Sequence, residues 1–157
     1  MRVGIGYDVH RLAPGHRLVL GGVEVPFDCG LIGWSDADVL THAIIDALLG
    51  AVNLGDIGQL FPPGDPKYKD ISSLVLLGRV GEKLADKGYI IGNIDSVIIA
   101  EQPLLRDVIP EMCCNISQAL GIDTSNVSVK ANTSEELGFV GRKEGMAASA
   151  VALVTGK

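Results

Sequence analysis

Arg2-Val-Gly-Ile-Gly-Tyr-Asp-Val-His10 is the stretch on which the fold turns. Residue types alternate with the period of a strand, so Val3, Ile5, Tyr7 and Val9 share one face and Gly4, Gly6, Asp8 and His10 the other. The first face is apolar; the second is bare except for one carboxylate and one imidazole. Working outward, Tyr89–Ala100, Val127–Ala131 and Gly145–Val154 read as three further strands, and Arg17–Leu20 with Val23–Val25 as a hairpin around Gly21-Gly22. Helical spacing lies between them. Ser35-Asp-Ala-Asp38 reads as a helix start with Ser35 as cap and Asp38 as the reciprocal acid, leading to about Ala51. Its expected buried stripe is Val39, Ala43, Ile44, Ala47 and Leu48. A second helix fits Ile71–Lys87, with Ile71, Leu74, Val75 and Gly78 inward. A third fits about Asp107–Leu120, with Ile109, Met112, Ile116, Ala119 and Leu120 on one side and Gly121 as its stop. Asn53–Lys69, punctuated by glycine and proline, reads as loop. The expectation is an α+β fold, a mixed α/β sandwich. One four-stranded mixed sheet carries helices on one face, with a small hairpin beside it, in one domain spanning 1–157. The last strand is apolar on both faces and small-sided (Ala147, Ala148, Ser149, Ala150, Ala152), so a second copy of the chain is expected to cover the helix-free side.

Composition bounds the function. The chain has 157 residues, 47% of them hydrophobic, which suits one domain with a real core. Nineteen acidic against thirteen basic residues leave a net charge of −6, so nucleic acid is excluded as the expected partner, because phosphate binding wants a basic face. Apolar runs fall far short of a membrane span, and with Met1 leading directly into the first strand no signal peptide is expected. Cys29, Cys113 and Cys114 form neither a disulfide framework nor a thiol metal motif, as expected in a reducing cytoplasm.

Three groups of residues can do chemistry. Asp8 and His10 leave the same face of one strand, and His42 lies near the start of the first helix. Two imidazoles and a carboxylate are a zinc-type ligand set with a fourth position free, and Asp46, one turn from His42, is placed to support it. His16, in a polar turn, is expected in solvent. Asp56-Ile-Gly58 with Phe61-Pro-Pro-Gly-Asp65 is either a plain turn or a flap whose carboxylates accept from sugar hydroxyls. Lys130-Ala-Asn-Thr-Ser-Glu-Glu136 reads as a second capped helix start, Thr133 capping and Glu136 in third place. Its N–H groups also suit a phosphate, Glu135 a divalent cation, and Arg142 and Lys143 a diphosphate.

Several blocks share one order and spacing. They are Gly6-Tyr-Asp-Val-His-Arg-Leu12, Ser35-Asp-Ala-Asp38 with Thr41-His-Ala43, and Gly55-Asp-Ile-Gly58 with Leu60-Phe-Pro62. After them come Lys130-Ala131 with Thr133 and Glu135, and Leu137-Gly-Phe-Val-Gly-Arg142 with Glu144-Gly145. Together, over about residues 1–155, they resemble the 2-C-methyl-D-erythritol 2,4-cyclodiphosphate synthase family. The resemblance implies a homotrimer of the non-mevalonate isoprenoid pathway with active sites between neighbouring subunits. It implies that the 2-phosphate of 4-diphosphocytidyl-2-C-methyl-D-erythritol 2-phosphate attacks the β-phosphorus, closing a cyclic diphosphate and expelling CMP. Asp8, His10 and His42 match the family's zinc ligands, Glu135 the residue for magnesium or manganese, and Thr133 the residue that stabilises the reacting phosphates. Asp56, Ile57 and Gly58 match sugar contacts, and Phe61, Pro62, Pro63, Gly64 and Asp65 the loop over the methylerythritol. Ala100, Glu101, Gln102, Pro103, Leu104, Leu105 and Arg106 match the cytosine pocket, largely through backbone groups. Val9, Trp34, Ser35, Asn132 and Ser134 fall among the substrate contacts, Phe139 and Arg142 on the phosphate side and trimer axis. The axial channel of such trimers is apolar and sometimes holds an isoprenoid diphosphate.

Three residues depart from the pattern. Trp34 stands where a histidine is frequent, and an indole donates one hydrogen bond but carries no charge. Pro63 replaces a frequent aspartate, and Ser149 a frequent glutamate near the axis. Two other functions use the same residues: a metal-dependent phosphohydrolase, which would release inorganic phosphate, and an isoprenoid-binding trimer with a vestigial catalytic site.

Overall fold

Gly4 and Gly6 decide how the first helix meets the sheet. They lie on β1 (Arg2–Pro14), and a Cβ on either would stand 1.9 Å from a carbonyl oxygen of α1 (Val39–Ala51): Ala47 for Gly4, Ala43 for Gly6. Helix backbone therefore rests directly on strand backbone. Two residues of strand advance about 6.6 Å and four of helix about 6 Å, so the two run in step, in opposite directions. The next pair along the strand, Asp8 and His10, is thereby carried to the first turn of α1, where His42 stands.

The computed structural model describes residues 1–156; Lys157, the last residue of the expected domain, lies outside the described residues. The main sheet has the order β4-β1-β7-β5-β6, with β4 Cys29–Leu31, β5 Tyr89–Ile99, β6 Val127–Asn132 and β7 Gly145–Gly156. Its neighbours are antiparallel except β5 and β6, a parallel pair joined through α4 (Ile109–Leu120) as a crossover requires. β2 (Leu18–Leu20) and β3 (Val23–Val25) form the hairpin. The mixed sandwich with helices on one face is as expected, but β4 adds a fifth, edge strand; three residues between Cys29 and Leu31 carry too little alternation to read as one.

Along β7 the pleat sorts the side chains. Met146, Ala148, Ala150, Ala152 and Val154 lie buried against the helices, and the small alanines let α1 come close. Val151, paired with Ile5, faces outward on the helix-free side. There Val3, Ile5, Tyr7 and Val9 are all exposed, a continuous apolar face. α1 is buried almost all round and supplies most of the core, with Leu40, Ile44, Ile45, Leu48 and Leu49 at 0% exposure; each such side chain contributes roughly 1.5–3 kcal/mol.

Element ends differ from the sequence reading for definite reasons. Ala37 is left-handed (φ 57°), so α1 starts only after Asp38, which is its cap. The fully buried Asp38 carboxylate accepts from Thr41 N–H (3.0 Å) and hydroxyl (2.8 Å) and from Gly21 and Gly22 N–H (2.9 and 2.8 Å), tying the hairpin to the helix. Ser35 is thus no cap. α3 (Ser73–Asp86) buries Ser73, Leu76, Leu77, Val80 and Leu84, while Val75, expected inside, is exposed. Leu76, Leu77, Val80 and Leu84 repeat with the same helical period and carry the bulkier side chains, and they set the phase. Inside the expected 53–69 loop stand α2 (Ile57–Leu60) and a 3₁₀ turn, Pro66–Tyr68. No helix of the described residues is long and apolar enough to cross a membrane.

Candidate metal centre and substrate cleft

Three donor atoms meet where β1 passes the start of α1. Asp8 Oδ2 is 2.9 Å from His10 Nε2 and 3.0 Å from His42 Nδ1, and the two ring nitrogens are 3.1 Å apart. Protons can fill at most two sides of such a triangle well, because two ring N–H groups that both donate to Asp8 set the nitrogens against each other at 3.1 Å. A shared cation satisfies all three at once. An ideal tetrahedron with bonds of about 2.0–2.1 Å has edges of about 3.3–3.4 Å, so the triangle needs to open by only a few tenths of an ångström. The donor set fits a tetrahedral divalent metal with one position left for a ligand.

Each imidazole is aimed from behind. His10 Nδ1 donates to the Ile32 carbonyl (2.8 Å), which turns Nε2 to the centre. His42 Nε2 meets Ser73 Oγ at 2.8 Å and Ser35 Oγ at 3.1 Å. Asp46 does not serve His42 as expected. It turns to the next element, accepts the Ile57 N–H at 2.8 Å, and so anchors α2. In the metal-free triad, burial raises the Asp8 pKa, but hydrogen bonds and charge from His10 and His42 outweigh it and hold the carboxyl well below the usual range. Burial likewise lowers His10, but the hydrogen bond and charge of Asp8, with the Ile32 carbonyl, hold it above the ordinary imidazole value.

The triad opens into a hollow of about 190 Å³ lined by Trp34, Ser35, Ile57, Gly58, Phe61, Pro63, Tyr68 and Leu76 besides the ligands. Asp56 caps α2, its Oδ1 accepting from Gln59 N–H (2.8 Å) and its Oδ2 from the Gln59 side-chain amide (3.1 Å), so both of its oxygens have a partner. The Phe61–Asp65 turn is exposed at Pro62, Pro63 and Gly64, while Phe61 is buried edge-on against Tyr68. Trp34 donates its indole N–H to the Asp65 carbonyl (3.0 Å) and so ties this turn to the cleft wall.

The remaining expected residues lie elsewhere on the chain. Asp8, Ala148, Ile98 and Ala131 form one row across β1, β7, β5 and β6. Asn132 and Thr133 follow Ala131, so they reach the same end of the sheet but three strands from β1, about 14 Å away. Thr133 starts no helix: Glu135 and Glu136 are left-handed (φ 54° and 62°), and Thr133 Oγ1 accepts from Glu135 N–H at 3.3 Å. The turn leads instead into the four-residue α5 (Gly138–Gly141). Glu101 accepts from Ser134 N–H (2.7 Å), which joins the 100–106 segment to this turn, with Gln102, Leu104 and Arg106 exposed. Leu105 is in the core, so only its backbone is available, and the Val9 side chain points to the outer face, away from Asp8 and His10. Phe139 is half-buried, and Arg142 is held by Glu144 (Nε to Oε1 2.9 Å). Lys130 pairs with Asp95. His16 is exposed, as expected. Ser73 and Asp36 went unnoticed in sequence, because only folding brings α3 behind His42.

Fold and site define an α+β domain in which a triad able to hold a metal ion opens into a cleft. The model of the YgbB family matches residues 1–155, and the chain belongs to that family. It is 68% identical over 157 residues, 100% of both chains, to a protein of Dehalococcoides mccartyi named 2-C-methyl-D-erythritol 2,4-cyclodiphosphate synthase. Among solved structures it resembles the bifunctional IspDF of Campylobacter jejuni (41% identity, TM-score 0.95), covering 99% of this chain and 42% of that longer one. It also resembles the IspF of Plasmodium falciparum in complex with CDP (35% identity, TM-score 0.87, 99% and 96% covered).

Proposed function

We propose that the protein converts 4-diphosphocytidyl-2-C-methyl-D-erythritol 2-phosphate into 2-C-methyl-D-erythritol 2,4-cyclodiphosphate with release of CMP, a phosphorus–oxygen lyase reaction of the non-mevalonate isoprenoid pathway. The observation that carries this is the closed triangle of Asp8, His10 and His42 at the mouth of a cleft, in a chain alike end to end with proteins named for this reaction. The relative solved with CDP supports a cytidine diphosphate substrate.

A 2-phosphate oxygen attacks the β-phosphorus, the bond from that phosphorus to the bridging oxygen breaks, and CMP leaves with that oxygen. The reaction is intramolecular and needs no side-chain nucleophile. Folding the substrate until the two groups meet supplies ~7–11 kcal/mol. Asp8, His10 and His42 would hold zinc, which when bound neutralises charge on non-bridging oxygens and fixes the diphosphate. Ile57, Gly58 and the Phe61–Asp65 turn enclose the methylerythritol. Trp34 acts through the turn it holds, not by carrying charge.

Thr133 would donate to the reacting phosphates, and Glu135 would hold magnesium or manganese, which would neutralise phosphate charge. Neither reaches the triad of its own chain across about 14 Å, which supports a site shared between copies. The exposed face of Val3, Ile5, Tyr7, Val9 and Val151 supports a homotrimer packed sheet to sheet, with an apolar axial channel able to take an isoprenoid diphosphate. The unpaired thiols support a reducing cytoplasm.

Phosphorus NMR of the chain incubated with the cytidine-linked substrate and magnesium tests the reading. CMP and a cyclic diphosphate are expected in equal amounts. Inorganic phosphate in their place would make the protein a phosphohydrolase, and binding of prenyl diphosphates without turnover would make it a vestigial binder.

A further inference from the structure

We propose that Ser73, held by Asp36, is a positioning residue that fixes which nitrogen of His42 faces the metal. The Ser73 hydroxyl lies 2.8 Å from His42 Nε2 and 2.5 Å from Asp36 Oδ1. Asp36 does not move freely: its Oδ2 accepts the Ser73 N–H at 2.9 Å and its Oδ1 the Asp38 N–H at 3.2 Å. The Ser73 hydroxyl donates its single proton to Asp36 Oδ1. The serine oxygen then has only lone pairs to offer His42, and Nε2 must carry the ring proton. In the neutral ring, the form a metal needs, Nδ1, the nitrogen 3.0 Å from Asp8, is left with its lone pair toward the centre. Ser73 is fully buried and His42 is 8% exposed, so water does not readily replace this partner. For His10 the same task falls to a backbone carbonyl, which no side-chain replacement removes; for His42 it rests on side chains from two distant segments.

The inference rests on the triad being a zinc site, and the test separates the two. Zinc is titrated into the full chain after chelator treatment, by competition with a coloured chelator, for the parent, Ser73→Ala and Asp36→Asn. The parent binds one zinc per chain. Ser73→Ala is expected to weaken zinc about 10–100-fold, as loss of such supporting partners does elsewhere, with an unchanged far-ultraviolet spectrum. In Asp36→Asn an amide N–H can face Ser73, free its proton for Nε2 and favour the wrong tautomer, so zinc is weakened there too. Ser73→Thr, which keeps the hydroxyl, is expected to recover most of the affinity. Imidazole nitrogen-15 shifts of the zinc-loaded parent need no variant: they are expected to show metal on Nδ1 and the proton on Nε2 of His42. Metal on Nε2, or equal zinc affinity in the parent, Ser73→Ala and Asp36→Asn, overturns the inference. Absence of zinc binding in the parent overturns the metal reading itself.

Discussion

At His10 a proton and a metal held by the triad would compete for one lone pair, which gives the site a pH dependence of known sign. The folded His10 value lies above the ordinary value of about 6.5. Its stabilisation of the metal-free fold is therefore full below about 6.5 and is lost as pH rises through the folded value. Asp8 acts oppositely: its folded value is depressed, so its contribution is present above about 3.9 and is lost as pH falls through the folded value. The triad of the stripped chain is thus most stabilising between about pH 4 and 6.5. Zinc needs His10 neutral, so its affinity climbs as pH passes through the raised His10 value, with release of a proton. Thermal melts of the stripped chain against His10→Asn check this: the Tm advantage of the parent is expected to shrink above about pH 6.5, and a growing advantage would reverse the assignment. Much at this scale was legible in sequence. Asp8 and His10 are two apart on a strand, and that spacing alone puts both on one face. Asp46 misled, because one helical turn made it a neighbour of His42 while its carboxylate was already claimed by the Ile57 N–H. Ser73 was invisible for the opposite reason, being thirty-one residues from His42 and packed behind it only by α3.

Between elements, the decisive contact is the flush seating of α1 on β1. A methyl group on Gly6 would meet the Ala43 carbonyl at 1.9 Å, and both partners are backbone, so neither can turn aside. Gly6→Ala is expected to cost ~3 kcal/mol or more, the upper range for overpacking, and to weaken zinc as His42 is pushed from Asp8. Denaturant unfolding with a zinc titration measures both; a midpoint within error of the parent would show that helix and strand do not touch as described. Element types were readable because the alternation in β1 and the helical spacing in α1 and α4 are strong local signals. Starts and phases were less so. The left-handed Ala37 delays α1, and Glu135 with Glu136 turns an apparent capping box into a tight turn. A Thr-x-x-Glu pattern is silent about backbone handedness, which depends here on Gly141 packing against Glu136.

For the whole molecule, one side of the sheet is left without a cover in the single chain. Val3, Ile5, Tyr7 and Val9 would each have to stay in water, which is costly for a contiguous patch. Ile5→Glu places a charge in its middle. Analytical ultracentrifugation is expected to show the parent as a trimer and this variant at or near the single-chain mass of 16.5 kDa, with turnover lost alongside assembly. A parent sedimenting as a single chain would leave the apolar face unexplained. The sequence predicted this face from the pleat of the first and last strands. It did not by itself reveal that the triad and the Thr133–Glu135 turn stand three strands apart, which needed the sheet order.

That separation is the central claim, since it requires one chain to lend its triad and a neighbour its Thr133–Glu135 turn. Mixing of two inactive variants, His42→Ala and Glu135→Ala, unfolded and reassembled together at equal amounts, tests it most directly. Every Glu135→Ala chain keeps an intact triad and every His42→Ala chain an intact turn. Random assembly in a closed ring therefore rebuilds about a quarter of the sites, and CMP release at about a quarter of the parent rate is expected. Activity no higher than the sum of the two variants alone, from mixtures shown to contain both chains in one particle, would contradict the shared site.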